Sequence, residues 1–209
     1  MGNGQLDLDK ILKYLVRADP VLKSIVKVIP KLTFSYREPN FKGLARIIIN
    51  QQLSGAASRS IFSRLKNTLG ENNISPNAIS SLSSAVLRGC GISRSKTVYL
   101  QGLSKFFIEN SEFLNELKQK DSESVIEELK RIKGIGEWSS RIFALFYLRH
   151  PDIFVVGDTS VYKAIEKLYG EGSTSTQNSL DQITNKWVPF RSVACVLFWR
   201  WIDCGMPDL

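Results

Sequence analysis

The residues best suited to chemistry lie between positions 129 and 164. Asp158 follows Gly157 and precedes a stretch with helical apolar spacing, so its carboxylate is predicted at a helix start, where it can act as a base or stabilise positive charge. Gly136, 22 positions earlier, closes the run Lys133-Gly134-Ile135-Gly136 between two helical patterns. Glycines there let amide N–H groups at the start of the second helix point outward together and bind a phosphate.

Each part alone has an ordinary structural explanation. Short glycine hairpins join many helices, and an aspartate before Thr159-Ser160 is commonly a helix N-cap. It is the combination and its spacing that indicate a phosphate anchor followed by a catalytic carboxylate.

The elements that must position these residues are helices. Val125, Ile126, Leu129 and Ile132 recur at helical spacing before the glycines. A second helix is predicted to start at Glu137 and to end before His150-Pro151, and a third to span 159–169. We find no strand-rich region and no repeat of 20–50 residues, which predicts an all-α fold of about ten helices.

A polar turn interrupts another pair of predicted helices near residue 50. An apolar helix from Phe41 ends at Asn50-Gln51-Gln52, and the next helix begins near Ser54. Amide side chains can enter a DNA groove, and Leu53 can wedge between stacked bases. The alternative is an exposed turn in which Ser54 merely caps the second helix.

Two further patterns concern packing. Asp19-Pro20 predicts an N-cap and a first-turn proline for a helix through Val28. Residues 193–199 are apolar nearly all round, which predicts a buried helix.

Composition bounds the function. The 209 residues are 43% hydrophobic and 23% charged, as in ordinary globular proteins, and carry a net charge of +8 that is compatible with nucleic acid. No apolar run is long enough to cross a membrane, so no membrane partner is expected.

The cysteines and the one histidine argue against common metal centres. Cys90, Cys195 and Cys204 are an odd number without paired spacing and no signal peptide pattern precedes them, so a reducing intracellular compartment is expected. One histidine, His150, without a Cys-x-x-Cys pair argues against zinc, and three cysteines cannot hold an iron–sulfur cluster of four thiolates.

Four motifs, in order, make the chain resemble the helix-hairpin-helix DNA glycosylase superfamily, and within it the 3-methyladenine (alkylbase) DNA glycosylases. They are Ile-Ile-Asn-Gln-Gln-Leu-Ser at 48–54, Leu-x-x-Ile-Lys-Gly-Ile-Gly-Glu-Trp at 129–138, Val-Gly-Asp at 156–158 and Pro-Phe-Arg-Ser-Val-Ala at 189–194. The match covers most of the chain from Phe41 to Trp201.

The resemblance implies one glycosylase domain over residues 1–209, with two helical lobes flanking a DNA-binding cleft. The first lobe would span about 41–155, with the turn and the hairpin. The second would combine about 1–40 and 156–209, with the Asp158 helix.

The resemblance also implies roles for individual residues. Asp158 matches the catalytic aspartate, and Trp138 matches an aromatic of the base pocket, with Ile142 and Phe146 on the same side of the helix. The residues implied in DNA binding are Gln52, Leu53 and Ser54 at the gap left by the flipped nucleotide, and Lys133, Gly134, Ile135 and Gly136 on the backbone. No cofactor is required, although carbonyls of Ile132 and Gly134 could hold a structural Na⁺ or K⁺.

The implied activity is hydrolysis of the N-glycosidic bond of alkylated purines, of the 3-methyladenine and 7-methylguanine type, after nucleotide flipping. Bifunctional members carry a nucleophilic lysine where this chain has Trp138, so no lyase activity is expected. A core tryptophan behind the hairpin is the structural alternative for Trp138.

Two rival functions stay open: a damage or abasic-site binding protein with little or no excision, and a helical protein that binds DNA nonspecifically through its hairpin. The partner expected is double-stranded DNA with an alkylated or abasic site, bound by a monomer. The compartment expected is the nucleus in a eukaryote or the cytoplasm in a bacterium.

Overall fold

The computed structural model describes residues 7–70 and 73–207, and these residues form helices without any strand. The predicted all-α class is therefore confirmed, with thirteen α-helices and one 3₁₀ turn in the described ranges rather than about ten. The chain divides into two compact units. One contains the described residues up to Tyr36 and from Arg149 onward, and the other spans Arg37–Leu148. From the sequence, the boundaries between the two lobes were expected near 40/41 and 155/156. The arrangement of lobes about a cleft stays a prediction.

The discontinuous unit is built on a buried C-terminal helix. Its helices are α1 (Leu8–Ala18), α2 (Leu22–Val28), α11 (Thr159–Tyr169), α12 (Gln177–Thr184) and α13 (Arg191–Asp203), with a 3₁₀ turn at Asn185–Trp187. All side chains of α13 from Ser192 to Phe198 are buried, together with Trp201. The pattern at 193–199 thus correctly predicted a buried helix, against which α1, α2 and α11 pack.

The prediction for Asp19 was wrong. The helix α2 begins at Leu22 and has no side-chain cap. Asp19 is only 1% exposed, and its Oδ2 accepts hydrogen bonds from Tyr169 Oη (2.7 Å) and Trp187 Nε1 (3.1 Å). A buried carboxylate needs such donors, and they hold Oδ2 in the core of the unit, while Oδ1 accepts a weaker hydrogen bond from Val21 N–H (3.3 Å), just before α2.

The continuous unit contains eight helices. They are α3 (Phe41–Asn50), α4 (Gly55–Leu69), α5 (Pro76–Ser80), α6 (Ser84–Gly89), α7 (Arg94–Glu109), α8 (Phe113–Leu117), α9 (Ser122–Lys130) and α10 (Glu137–Phe146). Serines of the serine-rich segments cap them: Ser75 and Ser93 accept hydrogen bonds from the first-turn amides of α5 and α7. Helix α3 packs on α4, α7 and α10, so the polar turn and the hairpin share one core.

Two properties noted in the sequence have structural counterparts. Cys90 and Cys195 are buried and Cys204 is exposed, all as free thiols. Across residues 7–70 and 73–207 no helix combines the length and apolar character needed to span a bilayer.

Candidate functional site

The glycine hairpin joins α9 to α10 and is closed by a hydrogen bond from Ile135 N–H to Ile132 O (2.9 Å). Gly134 has a φ of +96°, and a Cβ added there would lie 2.7 Å from Tyr99 Cβ. Gly136 differs, because its φ is −100° and a Cβ would meet nothing within 4 Å. Of the two glycines, only Gly134 uses the positive φ and the close backbone approach that glycine allows.

The N-terminus of α10 faces the hairpin without a side-chain cap, because Gly136 occupies the N-cap position. The first-turn amides of such a helix end suit an anion. The carboxylate of Glu137, in this first turn, forms two ion pairs, one with Lys130 Nζ at 3.0 Å and one with Arg141 Nε at 2.6 Å. Burial would raise the pKa of Glu137, but those two hydrogen bonds together hold it below its usual value of 4.5.

The polar turn is fastened to the hairpin by Gln51. Its Nε2 donates to Gly134 O at 2.8 Å and to Ser139 Oγ at 2.9 Å. The sequence did not predict a separate role for Gln51, because its two hydrogen-bond partners lie 83 and 88 positions further along the chain.

The next three residues face outward. Gln52 is exposed with a φ of +55°, a strained conformation for a residue other than glycine, and Leu53 is 39% exposed. Ser54 Oγ accepts a hydrogen bond from Ala57 N–H, so the alternative of a helix cap is correct for Ser54. Gln52, Leu53 and Ser54 are therefore all exposed at this turn, and Ser54 also caps the following helix.

Lys96, in the first turn of α7, also stabilises the polar turn after α3. Its Nζ donates to Ile49 O (2.8 Å) and Gln51 O (2.5 Å), carbonyls at the C-terminal end of α3. Burial lowers the pKa of Lys96. Lys96 therefore places its positive charge at the C-terminal end of α3, where a helix favours a cation.

A cavity of about 180 Å³ opens beside α10, and the three predicted pocket residues Trp138, Ile142 and Phe146 all line it. Their spacing of four along one helix brings them to one side, as the sequence predicted. Trp138 is half-buried rather than enclosed in the core. The volume is below the ~300–1,000 Å³ of a drug-sized pocket and suits a single ring system.

The remaining walls of the cavity were missed by sequence reasoning. They are Arg37, Arg46, Ile47, Asn50 and Tyr147. Arg46 and Asn50 stand four residues apart on α3, a spacing that could have revealed them. Arg37 and Tyr147 meet only in the fold, where Arg37 Nη1 donates to Tyr147 Oη at 3.3 Å.

Asp158 lies in the other unit, as the N-cap of α11. Its Oδ1 accepts hydrogen bonds from Val161 N–H (3.0 Å) and Ser160 Oγ (2.7 Å), and the residue is only 7% exposed. Gly157, with a φ of +78°, makes the sharp turn before it. Asp158 therefore caps α11, and the same contacts fix the orientation of its carboxylate, whose catalytic role stays a prediction.

The carbonyls proposed for an alkali ion are already engaged. Ile132 O accepts from Ile135 N–H, and Gly134 O accepts from Gln51 Nε2 at 2.8 Å. Each of these two carbonyl oxygens keeps one lone pair for a further ligand. A potassium site in a protein, however, replaces the hydration shell of the ion with several carbonyl oxygens. These two carbonyls alone do not make a cation site. Within residues 7–70 and 73–207 no cluster of His, Cys, Asp and Glu could hold a metal ion.

Relatives of the chain were identified by sequence and by structure. It is 26% identical over 199 residues to DNA-3-methyladenine glycosylase 1 of Schizosaccharomyces pombe, covering 92% of this chain and 87% of that protein. It is 31% identical over 176 residues to the DNA-3-methyladenine glycosylase of Saccharomyces cerevisiae, covering 74% of this chain and 57% of that one.

The fold matches that of solved proteins. A 3-methyladenine DNA glycosylase of Schizosaccharomyces pombe in complex with abasic DNA superposes with a TM-score of 0.79 at 24% identity, covering 96% of this chain and all of that one. The family model described as HhH-GPD superfamily base excision DNA repair protein matches residues 45–190, which include the turn, the hairpin and Asp158. The chain therefore belongs to the HhH-GPD superfamily of base excision DNA repair proteins.

Proposed function

We propose that this protein is a monofunctional DNA glycosylase that hydrolyses the N-glycosidic bond of alkylated purines after the nucleotide has been flipped out of the duplex. The observation that carries the proposal is Trp138. By the resemblance it stands where bifunctional members of the superfamily carry a lysine, and it lines a ring-sized cavity beside the hairpin. Support for the substrate class comes from the names of the relatives, which are 3-methyladenine DNA glycosylases.

Binding would begin at the hairpin and the turn. The uncapped amides of α10 take a backbone phosphate, and Lys133 is exposed beside them. Gln52 and Leu53 enter the gap that the extruded nucleotide leaves, since both are exposed and the turn behind them is tied down. Unstacking costs a few kcal/mol and costs least for a damaged base, which gives a first selection. The ring of Trp138 stacks on the base that enters the cavity.

Asp158 supplies the chemistry. As the C1′–N bond breaks, positive charge develops on the sugar, and a fixed carboxylate stabilises it and orients the attacking water. The bonds from Val161 N–H and Ser160 Oγ leave Asp158 with a single orientation, so the carboxylate needs no rearrangement when charge develops. A purine alkylated at N3 or N7 is already a good leaving group, and a separate general acid is not required.

The partner proposed is double-stranded DNA with an alkylated or abasic site, bound by one copy of the chain wherever the genome lies.

A structural Na⁺ or K⁺ at the hairpin stays a prediction. Because Ile132 and Gly134 offer only two oxygens, water or a DNA phosphate would have to complete its ligand shell.

The test is Asp158→Asn, assayed by release of free base from DNA containing 3-methyladenine and 7-methylguanine. Asparagine caps helices as well as aspartate does, so folding should be retained while the single-turnover rate falls about 10²–10³-fold. Ser160→Ala is the matched control, because it removes one hydrogen bond to the carboxylate but keeps the carboxylate itself. Borohydride should trap no covalent complex with DNA.

The outcomes separate the rival functions. Equal base release by wild type and Asp158→Asn would make the catalytic assignment wrong. Tight binding of abasic DNA by wild type without any base release would establish the damage-binding alternative instead. A borohydride adduct would show that a lysine outside the predicted position acts as a nucleophile.

A further inference from the structure

The position of the Asp158 carboxylate depends on a turn that contains a glycine. Gly157, directly before Asp158, has a φ of +78°, and a Cβ added at Gly157 would meet nothing within 4 Å. Glycine populates positive and negative φ about equally, so its own preference does not select this conformation, and no close packing around its Cα does so either. Contacts from another part of the unit must therefore hold the turn.

Tyr162, one helical turn after Asp158 on α11, makes such contacts on both sides of the aspartate. Its Oη accepts a hydrogen bond from Gly157 N–H at 3.1 Å, and its own N–H donates to Asp158 O at 2.9 Å. The side chain reaches back over the turn because helical side chains tilt toward the N-terminus of their helix. The main chain before and after Asp158 is thus tied to one residue.

A second aromatic ring holds the Tyr162 hydroxyl in place. The rings of Phe154 and Tyr162 are nearly parallel, with an interplanar angle of 8° and centroids 6.3 Å apart. Phe154 is buried, and its ring centroid lies 6.1 Å from that of Trp187 in the core of the unit. Offset parallel rings at such a separation attract one another. The ring of Tyr162 is therefore positioned by packing that does not involve its oxygen.

The hydrogen bonds to the carboxylate act on a different part of the same residue. Val161 N–H and Ser160 Oγ hold Oδ1 of Asp158 relative to α11. On the entering side, Asp158 N–H donates to Val155 O at 3.3 Å, which is long for such a bond. The Tyr162 hydroxyl supplies the shorter contact on that side.

We propose that Tyr162 is a positioning residue for the catalytic carboxylate: its hydroxyl holds Gly157 in the left-handed conformation and so places Asp158 against the sugar of the extruded nucleotide. The inference rests on the proposed function, because it takes Asp158 as the group that stabilises the developing positive charge. A carboxylate does this best when it is in place before the charge develops. A displacement of about 1 Å can lower a rate by about 10²-fold.

The test is Tyr162→Phe, which removes the hydroxyl and keeps the ring that stacks on Phe154. Two quantities are measured: the single-turnover release of 7-methylguanine at saturating protein, and the affinity for a duplex with a neutral tetrahydrofuran in place of one nucleotide. We expect the rate to fall about tenfold, as a small displacement of the carboxylate implies, while the affinity stays at the wild-type value. Amide hydrogen exchange at Gly157, followed by NMR, should become faster.

Tyr169→Phe is the matched control, because it makes the same change two helical turns further along α11. The Tyr169 hydroxyl donates to the buried Asp19 Oδ2 at 2.7 Å, so its loss should lower the melting temperature more than Tyr162→Phe does. Its rate and its exchange at Gly157 should equal those of wild type. A lower stability by itself then does not account for a slower reaction.

Three results would overturn the proposal. The first is base release by Tyr162→Phe at the wild-type rate. The second is an equal slowing by Tyr162→Phe and Tyr169→Phe, which would indicate a general effect on the fold. The third is a wild-type rate at saturation with weaker binding, which would mean that the hydroxyl contacts DNA instead of holding the turn.

A binding comparison separates this proposal from the proposed function. A duplex with a cationic pyrrolidine in place of the sugar resembles the charge that develops in the reaction, and its affinity relative to the neutral tetrahydrofuran duplex reports on the carboxylate without any excision. Wild type should prefer the cationic duplex, and both Asp158→Asn and Tyr162→Phe should lose most of that preference.

The outcomes of this comparison are distinct. If wild type releases no base but shows the preference, and Tyr162→Phe loses it, the positioning role of Tyr162 stands and only the glycosylase activity is refuted. If wild type releases base and shows the preference, and Tyr162→Phe keeps both, the positioning role is refuted and the proposed function stands. Equal affinity of wild type for the two duplexes would refute the role of Asp158 and, with it, that of Tyr162.

Discussion

Gln51 and Gln52 are adjacent glutamines that the structure uses in opposite ways, and substituting each by alanine tests this difference. Gln51→Ala removes the hydrogen bonds from Nε2 to Gly134 O and Ser139 Oγ. Each such bond contributes about 0.5–1.5 kcal/mol net, so the free energy of unfolding should fall by about 1–3 kcal/mol. For a chain of this size that corresponds to a melting temperature lower by roughly 2–12 °C.

Gln52→Ala is the internal control. Gln52 is exposed and has no hydrogen-bond partner in the described part of the chain, so its removal should change stability by less than ~0.5 kcal/mol. The φ of +55° is equally strained for alanine, which leaves the backbone contribution unchanged. Its effect should appear instead in the affinity for a duplex with an abasic site, because the side chain proposed to enter the gap is missing.

The assay is thermal unfolding by circular dichroism, paired with binding of an abasic duplex at one fixed salt concentration. Gln51→Ala should lose stability, and Gln52→Ala should lose affinity at a wild-type melting temperature. The reasoning is refuted if Gln51→Ala unfolds at the wild-type temperature, or if Gln52→Ala is the less stable of the two.

Two further predictions concern the hairpin. Gly134→Ala should lower the free energy of unfolding by roughly 1–3 kcal/mol, because φ is +96° and the new methyl group meets Tyr99. Gly136→Ala is the control and should keep the wild-type stability. Equal effects of the two substitutions in urea titrations would contradict this prediction. The lowered pKa of Glu137 stabilises the fold above its unfolded value of 4.5, and that stabilisation is lost as pH falls through the folded pKa. Glu137→Gln should therefore be less stable than wild type at pH 7, with a difference that shrinks below pH 4.5, as followed by unfolding at several pH values.

What the sequence could predict was local. The start of α10 at Glu137 and the span of α11 at 159–169 were predicted residue for residue. Apolar spacing and N-caps are properties of neighbouring residues, and they were enough for both helices. The same locality brought Trp138, Ile142 and Phe146 to one cavity, because residues four apart on a helix share a side.

What the sequence could not predict depends on contacts between distant residues. Asp19 followed by proline has the local pattern of a cap, but Tyr169 and Trp187 draw it into the core. Nothing within a few residues of Asp19 indicates those donors. The pairing of Arg37 with Tyr147 is missed for the same reason, since 110 positions separate them.

The hairpin itself illustrates how such distant contacts control a local motif. Gly134 approaches Tyr99, and Lys96, one helical turn earlier on α7, donates to the carbonyl of Gln51, whose side chain returns to Gly134. One turn of α7 thus supports both the hairpin proposed to bind a phosphate and the residues proposed to fill the gap. Neither Lys96 nor Gln51 is proposed to contact DNA. A substitution at either should nevertheless weaken DNA binding, and the accompanying loss of stability distinguishes such a supporting residue from one that touches DNA directly.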